Sequence, residues 1–343
     1  MRSRNWMHLV LLIALLPMVA AAGEGSWQRF REVRPALGST FEILAYAPDE
    51  RSAGAAFGAA FARVEEISGI FSVFDSESEV LRLVRQAPMS APVAISPELA
   101  QVLEYSLGLS QQTEGAFDVT VGPLTRLWRR TRRLRELPSA PRLAEARAAV
   151  GAHLVELDPE QQTVRLLGEN MRLDFGAVAK GYATDEALQV LREHGLSRVL
   201  INAGGDLMLG EPPPGAAGWR VGVAALHPGD PPRQILELAQ CAVATSGDAW
   251  QFVEIEGQRY SHVIDPRSGL PISERSGVTV VAPGGMMADA LASAVMVLGP
   301  EQGIALVDQI PEAACWVITV QDDQPRTFRS QKFPSAADGS FEP

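Results

Sequence analysis

The run Leu173–Asp206, LDFGAVAKGYATDEALQVLREHGLSRVLINAGGD, constrains this chain more than any other segment. An apolar lead-in ends at Asp174, and the small residues Gly176, Ala177 and Ala179 then bring Lys180 to the mouth of a helix beginning near Gly181. Gly195 stops that helix, Val199–Ile201 reads as strand, and the strand opens into Asn202-Ala203-Gly204-Gly205-Asp206. Two glycine-containing turns let backbone approach a ligand closely, and a lysine and two aspartates beside them suit a phosphate-bearing compound. The spacing is neither that of a P-loop nor that of a dinucleotide-binding GxGxxG, so these residues alone leave the ligand open.

The chain ends frame this run. Met1–Ala22 reads as a secretory signal, with Arg2 and Arg4 ahead of the apolar stretch His8–Val19 and small residues at Ala20-Ala21-Ala22. It is short for a membrane span, and it has neither a twin-arginine pair nor a nearby cysteine, so an exported protein without a lipid anchor is expected. No later segment reads as an uninterrupted apolar span of membrane length. The formal charge of −11 argues against nucleic acid as the main partner. Cys241 and Cys315, both in apolar surroundings, read as two buried thiols, and the five scattered histidines make no zinc-type cluster.

Periodicity predicts a mixture of helices and strands. Ser52 is the expected cap of a helix carrying Phe57, Ala60, Phe61, Val64 and Ile67 at helical spacing. Ser76 and Glu79 form the pattern of a capping box, and Ser96-Pro97 opens a further helix. Strands are expected at Phe41–Ala45, Leu154–Leu157, Thr163–Leu167, Val199–Ile201, Arg220–Val223, Val278–Val281 and Cys315–Val320. The elements do not alternate strictly, so an α+β fold with a largely antiparallel sheet fits better than a doubly wound parallel one. One domain over residues 27–320 is expected, with a polar, extended tail over 321–343. Six arginines between Arg126 and Arg135 read as a solvated helix or loop face.

Two further runs carry chemistry. In Met287–Gly299, Asp289 and Ser293 lie four apart on a predicted helix, so a carboxylate and a hydroxyl share one face and can hold a hard cation. An aspartate near a helix start is also favourable electrostatics alone. In the other run, Thr245-Ser246-Gly247-Asp248 reads as a polar turn, and Ser261-His262-Val263-Ile264-Asp265-Pro266 ends a strand in a second turn. A histidine there is commonly hydrogen-bonded structure. Gly115-Ala116-Phe117-Asp118 reads as a helix C-cap leading into a strand.

Together the runs LGSTFEI, FSVFDSESEV, GAFDVTVGPLTRLW, LDFGAVAKGYATD, INAGGD, ATSGD, YSHVIDPRSGLPI and VTVVAPGGMMADALASAVMVLGPEQG resemble, in this order, the ApbE family of FAD:protein FMN transferases. The resemblance spans nearly all of the chain after the signal. It implies an exported, periplasmic, Mg²⁺-dependent enzyme, soluble or loosely associated with the inner membrane. Such an enzyme cleaves FAD and joins FMN by a phosphoester to a Thr or Ser of a redox protein, releasing AMP. By the resemblance, Ala177 through its carbonyl, Asp289 and Ser293 would hold the metal. Leu37, Phe74, Ala116, Phe117, Asp118, Asp174, Lys180 and Ile264 would line the FAD site, with Phe74 and Phe117 offering ring faces to the flavin or adenine. Asn202, Gly204, Gly205 and Asp206 would add contacts near it. His262 would accept the incoming hydroxyl's proton, with Asp265 or Asp248 as alternatives. Two departures stand out: Ser293 replaces the usual Thr, and Ala292 stands where a second Asp is frequent, leaving one fewer negative charge beside the metal. FAD hydrolysis to FMN and AMP, or non-catalytic FAD storage, are the competing readings.

Overall fold

The computed structural model describes residues 27–223, 225–226, 230–247, 252–321 and 324–337. The signal-like segment Met1–Ala22 and Asp248 lie outside the described residues. Eight strands build the main sheet: β1 (Gln28–Ala36), β2 (Ser39–Ala47), β3 (Val199–Ala203), β4 (Asp206–Leu209), β5 (Cys241–Gly247), β6 (Ser276–Ala282), β7 (Ala314–Gln321) and β8 (Gln324–Arg329). Their order across the sheet is their order along the chain, and every neighbouring pair is antiparallel. The α+β class is as expected, but the main sheet is wholly antiparallel; the isolated parallel bridge Val121–Arg172 lies outside it.

Alternation along the strands sends side chains into two cores. Phe41, Ile43 and Ala45 of β2 and Val199, Ile201 and Ala203 of β3 face one core, while Leu44 and Leu200 face the other. The first core is closed by helices α1 (Glu50–Phe71), α6 (Ala179–Glu193) and α7 (Gly285–Asp308). The second is covered by the hairpin Trp219–Val223 with Gln234–Leu238 and by Phe333. Between β2 and β3 the chain also forms α2 (Glu79–Val84), α3 (Pro97–Gln112), α4 (Gly122–Leu134) and α5 (Ala140–Ala148). By length and composition alone α7 could cross a membrane, with a mean hydropathy of 1.5, although Asp289 interrupts its apolar run. It packs instead on α6, β5 and β6, and Gly299-Pro300 breaks its helical geometry.

Several local expectations need correcting. The cap of α1 is Asp49, which accepts the Ser52 N–H at 2.8 Å; Ser52 is already helical. Ser78, not Ser76, caps α2, and Glu79 reaches across to accept the Ser96 N–H at 2.7 Å. Gly115 does end a helix, with positive φ and its N–H on the Ser110 carbonyl, but Asp118 then turns into α4 rather than a strand. Thr245–Gly247 belong to β5 instead of a turn. Cys315 is buried, whereas Cys241 is only half-buried; both are free thiols. The stretch expected as an extended tail supplies β8, and Phe333 beyond it is buried against Trp316 with ring centroids 5.5 Å apart. Polar edge strands hide in this way because only one side of their backbone needs a partner and their side chains stay wet.

One contact between helices positions the site. A Cβ at Gly181 would collide with the Gly285 carbonyl, and a Cβ at Gly285 would meet Thr184 Oγ1 and the Gly181 carbonyl. Asp185 on α6 accepts the N–H groups of Gly285 (2.6 Å) and Met286 (2.9 Å), capping α7 from its neighbour. Substituting Gly181→Ala should cost about 1–3 kcal/mol of stability through overpacking; an unchanged urea midpoint would mean the helices do not meet there. For Phe333→Ala a loss of about 3 kcal/mol is expected, and the same denaturation measurement returning a wild-type value would detach residues 324–337 from the core.

Candidate active site

The first turn of α6 is unusual in where its donors point. Ala179 N–H goes to the Phe175 carbonyl (2.8 Å) and Tyr182 N–H to the Val178 carbonyl (3.0 Å), but Gly181 N–H turns to Asp289 Oδ2 at 3.2 Å. The Ala177 carbonyl is thereby left without a helical donor among the described residues. Lys180 Nζ lies 3.8 Å from the same Asp289 oxygen and forms an ion pair with Asp206. Asp206 Oδ1 also accepts the Thr245 N–H at 3.4 Å, tying the cluster to β5. One ammonium therefore serves two buried carboxylates.

The electrostatics follow from that imbalance. Burial pushes the Asp289 carboxyl above the usual carboxylate range; the Lys180 charge pulls it down and the Asp206 charge adds to the rise. Burial works against the Lys180 charge too, yet the two aspartates outweigh it and hold the ammonium above its usual range. Ser293 sits one turn along α7, its Oγ 3.2 Å from Ser246 Oγ, and Ala292 is fully buried. Among the described residues no three His, Cys, Asp or Glu side chains converge, so an ion here must draw on backbone and hydroxyl oxygens. The carboxylate of Asp289, the hydroxyl of Ser293 and the unpaired carbonyl of Ala177 are all hard oxygen donors. They fit Mg²⁺ by chemistry, and the surplus negative charge fits a cation.

A second cluster flanks the first along the same run. Asp174 is buried and accepts from Thr125 Oγ1 (2.8 Å), Arg129 Nη2 (2.9 Å) and the Gly176 N–H (3.0 Å). The Arg129 guanidinium lies 5.3 Å from the centroid of the Phe74 ring, and Phe74 is 79% exposed. An open aromatic face beside a cation can receive a planar anionic ligand. Phe117, by contrast, is packed in the main core and Ala116 is buried beside it, so Phe117 has no free face to offer. Asp118 holds its own turn, accepting the N–H and hydroxyl of Thr120 at 2.8 and 2.7 Å, and burial raises its pKa.

Two hairpin turns stand side by side at this end of the sheet. Leu37-Gly38 joins β1 to β2 and Gly204-Gly205 joins β3 to β4, all four residues with positive φ. A Cβ at Gly204 would strike the Ser39 hydroxyl, so that turn requires glycine. Asn202 spends its side-chain oxygen on the Gly205 N–H at 2.8 Å and braces the turn. His262 is half-buried just beyond the strand Gln258–Ser261. Asp265 is engaged by Arg267 through three bonds of 2.9, 2.9 and 3.1 Å, which locks the tight hairpin Ile264–Asp265 with Leu270–Pro271. Ile264 packs with Leu124 and Trp128 of α4, and Trp128 Nε1 donates to the Gly269 carbonyl at 2.9 Å. Beyond Ser293, a cavity of about 340 Å³ opens between Val295–Pro300 and residues of the 265–276 segment.

The structure thus joins Lys180, Asp206, Asp289 and the Ala177 carbonyl around one helix mouth, and Phe74 and Asp174 around Arg129. Thr125, Arg129, Asp185 and Ser246 went unassigned in the sequence. The four-residue spacing of Thr125 and Arg129 on one face of α4 is the signal that could have found two of them.

Known proteins resemble this chain in sequence and in fold. The profile described as the ApbE family matches residues 37–317. The FAD:protein FMN transferase of Vibrio cholerae serotype O1 is 31% identical over 340 residues, covering 96% of this chain and 98% of that protein. The protein of the same name from Escherichia coli K12 is 32% identical over 278 residues, 78% of this chain and 77% of the relative. The flavin transferase ApbE structure from Vibrio cholerae superposes with a TM-score of 0.81 at 28% identity, covering 90% of this chain and 99% of that one. The apo form of the Pseudomonas stutzeri flavinyl transferase gives 0.79 at 29% identity, with coverage of 90% and 96%. A profile match over most of the chain, relatives of this identity and the shared fold leave one assignment: the chain belongs to the ApbE family.

Proposed function

We propose that this chain is an exported FAD:protein FMN transferase that requires Mg²⁺ and modifies a Thr or Ser of a redox protein in the periplasm or at the inner membrane. The observation that carries the reading is the helix mouth where Asp289 takes the Gly181 N–H, leaving the Ala177 carbonyl unpaired beside a lysine and two buried carboxylates. When bound, Mg²⁺ held by Asp289, Ser293 and the Ala177 carbonyl would supply charge neutralisation for the pyrophosphate. Lys180 presents a cation toward the same phosphates, kept charged by its two aspartates. Phe74 and Arg129 receive the ring system, while the paired hairpin turns let backbone approach the ligand.

In the transfer step the acceptor hydroxyl oxygen bonds to the FMN-side phosphorus and the pyrophosphate P–O bond breaks, with AMP leaving. The hydroxyl proton passes to His262 as general base. Asp265 suits that task less well, since Arg267 engages both of its oxygens. Purified protein given FAD, Mg²⁺ and candidate acceptor domains should add FMN mass to the acceptor and release AMP. Free FMN with AMP whatever acceptor is offered would point to hydrolysis, and bound FAD without turnover to storage; either sinks the transferase reading.

Removing a metal-holding carboxylate forfeits several kcal/mol of transition-state stabilisation, so Asp289→Ala should lower Mg²⁺-dependent transfer on the order of 100-fold or more with the fold intact. Activity at wild-type level would exclude Asp289 from the metal. For His262→Ala, transfer slowed on the order of 100-fold or more at unchanged FAD affinity is expected of a general base. A collapse of affinity in flavin-fluorescence titration would make it a binding residue.

A further inference from the structure

The arginine cluster of α4 is used only in part by the site. Gly122, Leu124, Trp128 and Thr131 bury one side of the helix, and Arg126, Arg129, Arg130 and Arg133 form an exposed stripe on it at spacings of three and four. Arg129 alone among them has an ion-pair partner, Asp174; the others form no ion pair among the described residues. No Asp or Glu occurs between Gly122 and Arg135. The cations press on one another: burial and Arg129 pull the pKa of Arg132 down, and burial and Arg126 do the same to Arg172.

A bland account covers only part of this. Cations near a helix C-terminus complement its dipole, which suits Arg132 and Arg133. Arg126 and Arg130 lie too far from that end, and crowding unpaired arginines is unfavourable without a counter-charge. In a chain of net charge −11 the patch is of opposite sign to the whole, so it attracts anions that the rest of the molecule repels. Its position is equally pointed: the stripe runs directly into the Arg129–Asp174–Phe74 cluster.

We propose that the arginine stripe of α4 docks an acidic segment of the protein that accepts the flavin phosphate, holding it beside the transfer site. The identity of the partner as acceptor rests on the transferase reading above. Along the helix axis, four residues advance about 6 Å, close to the roughly 6.6 Å between alternate side chains of an extended chain. The stripe therefore fits a segment carrying acidic residues at alternate positions. Guanidinium groups at the surface also give bidentate contacts with carboxylates. Attraction of this kind speeds encounter and weakens with salt, whereas a flavin site lined by buried groups is much less screened.

The test compares full-length wild type with the variant Arg126→Gln/Arg130→Gln/Arg133→Gln, which spares Arg129. The probe is a fluorescein-labelled peptide of alternating Glu and Gly, followed by anisotropy. Wild type should bind it, with affinity at least about tenfold weaker in the variant and on going from about 50 to about 300 mM NaCl, while FAD binding by flavin fluorescence is equal in both proteins. Equal peptide binding by both proteins would overturn the proposal. So would co-sedimentation with phosphatidylglycerol vesicles without peptide binding, since the stripe would then be a membrane contact. Absence of FAD binding in both proteins overturns the flavin reading separately, and with it the partner's identity, whatever the peptide does.

Discussion

Everything at the candidate site depends on how closely α6 and α7 approach at Gly181 and Gly285. Without side chains at that crossing, a backbone N–H of one helix reaches a carboxylate of the other. That single donor shift has two effects: it buries Asp289 beside Lys180, and it frees a carbonyl that an ordinary helix start would have used. The site proposed for a cation and a phosphate ester would emerge from steric permission more than from any added group. Asp185 holds the crossing in place by binding the first N–H groups of α7, so α6 supplies both the contact and its clamp.

The arrangement also explains the separation of chemistry along the chain. The sheet is a meander, and its strands need only their sequence neighbours. Candidate site residues enter instead through the excursions between strands, with Lys180 and Asp174 from the one before β3, His262 from the one before β6, and Asp289 from the helix after it. The meander supplies a fixed end with two glycine-bearing turns, and the excursions close over it.

How much of this was legible in the sequence depended on distance. Lys180, Asp289 and Ser293 stand out in the sequence because each sits in a compact local motif, and the structure brings Lys180 and Asp289 together. The helix from Ala179 to Glu193 and strands β2, β3, β6 and β7 were readable because their apolar periods are strong, whereas the central pair β4 and β5 was not, because small and polar residues fill much of β5 and β4 follows directly on the glycine turn. Asp174 stands out in its own motif, but its partners Arg129 and Thr125 lie 45 and 49 residues away; their four-residue spacing puts them on one face of α4 without telling which residue that face meets. The capping role of Asp185 spans 100 residues and was hidden for the same reason. Phe117 misled because an aromatic beside an aspartate looks alike in a pocket and in a core. Helix caps slipped by two or three residues wherever several Ser and Asp competed for one end.

Among the described residues the meander ends in two edge strands, β1 and β8, and the polarity of both conceals them from pattern reading. The chain guards each with the same residues: β1 carries Arg29, Arg31, Arg34 and Pro35, and β8 carries Pro325, Arg326 and Arg329. Proline withholds a donor from any would-be added strand, and the long charged side chains, Arg31 and Arg34 already paired with Glu42 and Glu32, keep the edge wet. Polar sequence at either end of the fold thus fits the needs of an edge strand, which must satisfy one neighbour without inviting another.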